Sequence, residues 1–210
     1  MANVIDGAVT INGTLTVTGG VTLQVGLNRT NNVLETDMDF AIPLTQWRVW
    51  DALGVNLATA GTDDLGLTSN TFGTSTPYLT SGDLNAAGSI TRYARALYQM
   101  PHNYQGGQNF TFQISAGMLT AVASVAATVD AEIYVTNGTT GITAAGDVCA
   151  TSATSINSTT FAVVSFTVTG ATIERGDILD IRITIAANSA TASTHFAAIT
   201  DTNFRLPIKG

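Results

Sequence analysis

Two histidines, one cysteine and fifteen carboxylates are the groups that could do chemistry in this chain, and their spacing argues against most of it. Hydrolysis by a serine or cysteine needs a nucleophile, a histidine beside it and an acidic group to orient that histidine. His102 and His195 fall in or near turn regions. There is no Gly-x-Ser-x-Gly elbow, and no two histidines stand four apart as a zinc helix requires. Cys149, in DVCATSATS, is the sole cysteine; it allows neither an intrachain disulfide nor a thiolate zinc cluster. It reads as a small residue in a strand or loop. No phosphate loop or dinucleotide fingerprint occurs, because the glycines sit at turns rather than before helices. The expectation is a protein without catalytic residues and without a cofactor.

Carboxylates and aromatics leave more open. Glu35, Asp37 and Asp39 alternate in ETDMD, so an extended backbone would turn all three one way, as oxygen clusters for hard cations do. The calcium-loop spacing with its glycine and distal glutamate is missing, and a solvated acidic loop is the plainer reading. Asp63-Asp64 reads as a turn pair, and Asp177 and Asp180 flank the start of a strand. Nothing in the spacing identifies two carboxylates facing one glycosidic cleft. Trp47, Trp50, Tyr78, Tyr93, Tyr98 and Tyr104 could pack a core or an edge. In β-sandwiches that is the commoner use; a stacking platform or a protein contact is the alternative, with Trp47 and Trp50 as the candidate contact aromatics.

The elements that must position these groups follow from composition and period. In 210 residues, a length suited to one sizeable domain with an appendage, only 11% are charged and the formal charge is −7. Seven of the eight basic residues are arginine and none is clustered, so phosphate neutralisation on a nucleic acid is not expected. Threonine occurs 35 times; it is β-branched and dresses strand surfaces without charge. Ala116 to Val129, the longest weakly polar stretch, is broken by Thr120, Ser124 and Thr128 and is too short to span a membrane. MANVIDGAVT lacks the basic and apolar regions of a signal peptide, so the expected site of synthesis and folding is a cytosol.

From Ser89 onward a period of two predicts strands. They are SITRYARALYQM, NFTFQISA, TVDAEIYV, TTFAVVSFTVT, ILDIRITIAA, HFAAIT and NFRLPI. In the second, Phe110, Phe112 and Ile114 share a face. In TVDAEIYV the apolar face is Val129, Ala131, Ile133 and Val135, with Asp130 and Glu132 opposite. ILDIRITIAA sends Leu179, Ile181, Ile183 and Ile185 inward and Asp180, Arg182 and Thr184 outward. TTFAVVSFTVT is apolar on both faces and predicts cover on both. Helical spacing also occurs over Ala116 to Val129, but every odd position from 119 to 135 is apolar and favours a strand. Gly26 to Asp39 reads as a linker, Phe40 to Ala52 as a strand interrupted by Pro43, and 53–89 as one or two short strands in long loops. The fold expected is all-β, an antiparallel sandwich over residues 28–210, of jelly-roll type with an immunoglobulin-like key as the alternative of the same periodicity.

Residues 1–27 form a separate arm. GAVTIN, GTLTVT and GGVTLQ repeat every six residues and place Val9, Ile11, Leu15, Val17, Val21 and Leu23 in an apolar stripe. Hexapeptide coil and tight meander both fit. So short a β-piece cannot bury its own stripe; the main domain, or copies of the arm around a symmetry axis, would have to cover it.

The stretch ARALYQMPHNYQGGQNFTFQISA (Ala94 to Ala116), followed by ATVDAEIYV, IERGDILDIRITIAAN and NFRLPIKG, resembles β-sandwich virion proteins of tailed bacteriophages, above all head decoration (cement) proteins. The resemblance covers about residues 90 to 210. GAVTINGTLTVTGG is similar to β-repeats near symmetry axes of phage fibres and capsid accessory proteins. The resemblance implies a virion protein made in the host bacterial cytoplasm, a homotrimer seated between capsomers. Its partner would be the major capsid protein, and no catalytic residue is carried over. The alternative is a tail-fibre or receptor-binding sandwich offering its aromatics to a host glycan.

Overall fold

Alternation becomes strand in the second half of the chain. In the computed structural model the described residues are 35–58, 63–68, 71–84, 86–120, 125–137, 141–142, 146–191, 194 and 196–209. The expected arm and its stripe, Val9 to Leu23, lie outside them, as does His195. The strands are β1 (Glu35–Ala41), β2 (Gly66–Thr68), β3 (Tyr78–Thr80), β4 (Gly88–Gln99), β5 (Phe110–Met118), β6 (Val125–Asn137), β7 (Gly141–Ile142), β8 (Thr154–Ser155), β9 (Ala162–Val168), β10 (Ile178–Ser189) and β11 (Ala197–Lys209). One sheet runs β2-β3-β11-β5-β9, with β1 also on β11; the other runs β4-β10-β6-β7, with β8 also on β6. Every pairing is antiparallel.

The long strands β1, β4, β5, β6, β9, β10 and β11 alternate strictly between the two sheets, and β11 inserts between β1 and β5. That is the double Greek key of a jelly roll. The chain is an all-β antiparallel sandwich of the expected type. Its core lies between the inner faces: Val129, Ala131, Ile133 and Val135 of β6, Leu179, Ile181, Ile183 and Ile185 of β10, and Phe110, Phe112 and Ile114 of β5 are all buried. Burial of this alternating apolar set, at roughly 25 cal/mol per Å², outweighs the helical spacing over part of β6. An aromatic chain ties the layers. Phe204 lies 5.0 Å from Phe112, 5.5 Å from Phe110 and 4.9 Å from Tyr98.

Four expectations are corrected. ETDMD is no loop: it is β1, where Asp39 stands opposite Arg205 and Asp37 lies 3.5 Å from the same guanidinium. Opposite charges across a strand pair supply what its acidic composition seemed to forbid. The strand expected over Phe40 to Ala52 ends at Ala41; Pro43 opens a single helical turn at Leu44–Gln46. β9 is covered on one side only. Val164, Phe166 and Val168 are buried while Val163 is 62% exposed, because β9 is an edge with its outer face bare. The segments expected as two strands join in one from Ala197: a register shift between Ile199 and Asp201 separates three consecutive buried residues, 197–199, from the buried even positions 202–208, and the break in alternation reads as a gap. The 53–89 stretch does hold two short strands, β2 and β3.

Candidate functional site

The site is built on the outer face of β4, β10 and β6. Residues whose neighbours face the core must face out, so β4 presents Tyr93, Arg95 and Leu97, β10 presents Thr184, Arg182 and Asp180, and β6 presents Asp130, Glu132 and Tyr134. Register aligns them in three rows: Tyr93–Thr184–Asp130, Arg95–Arg182–Glu132 and Leu97–Asp180–Tyr134. Two arginines directly opposite each other repel. Each is neutralised instead by a carboxylate. Arg95 Nε donates to Asp180 Oδ1 at 2.6 Å, and its Nη2 donates to Asp180 Oδ2 to complete the fork. Arg182 Nη2 pairs with Glu132 Oε2. The four side chains are 22 to 34% exposed, within reach of a ligand yet partly shielded from screening. The Asp180 hydrogen bond holds Arg95 firmly in its charged form. Asp130 has its carboxyl pushed up, first by burial and then by the negative charges of Glu132 and Asp147; the Ala131 N–H and Arg182 act in the opposite direction.

Trp50 reaches this face because its segment is sewn to the edge of β4. Arg48 exchanges two backbone bonds with Arg95, at 2.8 and 3.1 Å, and Tyr93 likewise bonds Asp63 and Leu65, at 2.9 and 2.7 Å. A tight turn follows, with Val55 N–H donating to Ala52 O at 2.8 Å. The Trp50 N–H donates to Asp64 Oδ1 at 3.2 Å. The indole is thereby laid on Tyr93, ring centroids 5.2 Å apart. The Arg182 guanidinium sits 5.7 Å from the Trp50 ring and 5.1 Å from the Tyr93 ring. A cation so placed is attracted to both π-faces. Trp50, Asp51, Arg95, Glu132, Tyr134, Asp180 and Arg182 enclose an open cleft of about 250 Å³. Trp50 Nε1 and Arg182 Nε have no hydrogen-bond partner among the described residues. Buried polar atoms are rarely left so, and these two mark a cluster whose donors are not all used.

The structure separates the two tryptophans. Trp47 is 0% exposed, its Nε1 donating to Thr202 Oγ1 at 3.1 Å and its ring 6.5 Å from Phe112. It has no surface to offer a partner; of the two candidate contact aromatics only Trp50 is partly exposed. Tyr104 is buried too, its hydroxyl donating to Gln108 O at 2.6 Å, and Tyr98 packs on Phe204. Of the six candidate aromatics only Trp50 and Tyr93 come together. Cys149 is buried, its thiol pushed up to about 12 by desolvation and then by Asp147, both of which disfavour the reactive thiolate. His102 lies exposed in a turn, away from the cleft. Among the described residues no group of three or more His, Cys, Asp or Glu is placed to hold a metal ion, and Asp37 faces Arg205.

Sequence reasoning did not assemble Arg95, Glu132, Tyr134, Asp180 and Arg182 into a site. A signal existed: in a chain only 11% charged, charges recur at alternate positions of two neighbouring strands. Linking the two strands required the register.

No protein-family model matches the chain, and no curated protein matches it. Among solved structures, the chain is similar to the CBM22-1 xylan-binding domain of Paenibacillus barcinonensis Xyn10C, at 12% identity over 71% of this chain and 84% of that one, with a TM-score of 0.37. It is also similar to a carbohydrate-binding module, CBM28, specific for non-crystalline cellulose, at 16% identity over 76% of this chain and 87% of that one, with a TM-score of 0.38.

Proposed function

We propose that the protein is a non-catalytic recognition module that holds a glycan in the cleft on the outer face of β4, β10 and β6. The observation that carries this reading is the concentration of polar chemistry there. Five of the seven lining residues, Asp51, Arg95, Glu132, Asp180 and Arg182, are charged in a chain that is 11% charged overall. Two aromatic rings stand among them. Sugars are bound by this combination, in which planar, fixed donors and acceptors meet hydroxyl groups and a ring face meets C–H groups. An arginine fork locked by a carboxylate, as Arg95 is by Asp180, is pre-organised and costs little entropy on binding. Catalysis has no support in the same cleft. Asp180 and Glu132 are engaged by arginines, and neither histidine nor thiol is among the described residues that line it.

The receptor-binding alternative raised from the sequence is thus favoured over capsid decoration, whose proposed contacts, Val9 to Leu23, lie outside the described residues. The test is a glycan array read with the wild type and with Trp50→Ala. Binding to a defined glycan should fall more than about tenfold in the variant, with far-UV circular dichroism and Tm retained. A wild type that binds no glycan, or a variant that binds equally well, would refute the proposal.

A further inference from the structure

We infer that the cleft selects uncharged glycans and rejects those bearing a carboxylate or sulfate. The inference rests on the proposed glycan-binding role and adds the ligand's charge class. Arginines at a sugar site ordinarily suggest an acidic ligand, since the guanidinium fork fits a carboxylate in two parallel bonds. Here the fork of Arg95 is already filled, and the charge of Arg182 is already paired. Arg95 donates from two nitrogens to the two oxygens of Asp180, and Arg182 is paired with Glu132 while lying on the Trp50 and Tyr93 rings. An incoming anion would have to displace Asp180 from Arg95, or approach the open Nε of Arg182 against the charge of Glu132, which the sheet register holds directly opposite.

The remaining charge points the same way. The lining residues carry three carboxylates, Asp51, Glu132 and Asp180, against two arginines, one net negative charge with nothing cationic left over. Asp130 adds to it one row along, and the whole chain carries −7. A ligand anion would meet like charge in a partly shielded cleft, where repulsion is stronger than in bulk water. Hydroxyl groups meet no such penalty. They can accept from the outer N–H groups of the forks and donate to the outer carboxylate lone pairs, leaving both ion pairs intact.

The experiment titrates the intact protein with neutral hexose and pentose oligosaccharides and with matched oligosaccharides carrying a uronate, sialate or sulfate. The proposal expects a neutral ligand to bind at least about tenfold more tightly than its acidic counterpart. It also expects that affinity to stay within about twofold between 50 and 500 mM salt, as no counterion is released. Glu132→Gln frees Arg182, and should raise affinity for the acidic counterpart several-fold relative to the neutral one. Asp51→Asn removes one negative charge without touching either fork and should move the ratio the same way by less; it serves if Glu132→Gln disturbs the sheet. A wild type that prefers the acidic ligand, and loses it with salt, would overturn the charge rule while leaving the glycan site standing. Binding to neither class would overturn both.

Discussion

At the scale of single residues, the two tryptophans show what sequence can and cannot say. Trp47 and Trp50 are three positions apart in a segment of irregular backbone, so no period assigns either to a face. One hydrogen bond to Thr202 and a ring contact with Phe112 draw Trp47 inside; a turn and the edge of β4 hold Trp50 outside. Both decisions are made by partners distant in the chain. Gly170 is legible only in three dimensions for the same reason. A Cβ built on it would lie 1.8 Å from Gln108 O and 2.7 Å from the Tyr104 hydroxyl, and its N–H donates to Asn109 Oδ1 at 3.0 Å. Backbone cannot withdraw as a flexible side chain would. Gly170→Ala is expected to cost about 1–3 kcal/mol by overpacking, read as a lower denaturation midpoint with an unchanged slope. By contrast, Gly106→Ala meets only the end of Glu174 and should be milder.

Strands were the most legible level. β4, β5, β6, β9 and β10 stand within a few residues of where alternation predicts them, since burial of one face is the physical cause of both pattern and pairing. Legibility fails where pairing, and not burial, makes the strand: β1 is acidic and owes its place to its backbone ladder with β11, where the exposed Arg205 lies beside Asp37. It fails again at the bulge of β11, where one extra residue breaks the alternation. Exposure sets the cost of a charge. Ile183 is 0% exposed in the centre of β10 and Val163 is 62% exposed on the edge strand β9. Ile183→Asp should therefore unfold the domain, a buried unpaired carboxylate costing several kcal/mol. Val163→Asp is expected to shift stability by no more than about 0.5 kcal/mol. Thermal melts of the two variants make the comparison, and similar losses would contradict the assigned faces.

For the whole molecule, fold class was readable from composition and period, and strand order was not, because antiparallel sandwiches of different topology bury the same alternating residues. The cleft depends on that order. Four of its five charges come from three strands, and its tryptophan and Asp51 from a fourth segment, so no local window of sequence contains it. The assembled core has a measurable pH signature. Burial pushes the Cys149 thiol from 9.0, and the Tyr98 and Tyr104 phenols from 10.0, up to about 12. All three are raised in the folded chain, so the stability they lend is fully present below about pH 9. It is lost as pH rises toward 12, because the unfolded chain ionises first. Denaturant midpoints measured between pH 8 and 11.5 should be flat at first and then fall. Cys149→Ser should shift the onset of that fall toward the tyrosine range.

β11 gives the molecule a history as well as a shape. It follows every other described strand in chain order, yet β1, β3 and β5 all pair with it, and its Thr202 hydroxyl donates at 2.8 Å to Ile42 O, 160 residues away. Synthesis from one end delivers three strands before the strand they share exists. Until it arrives, one half of the sandwich waits as separate pieces with apolar faces open, a condition that slows closure and invites association with other unfinished chains. Keystone is the builder's word for a block that is set last and without which the arch does not stand.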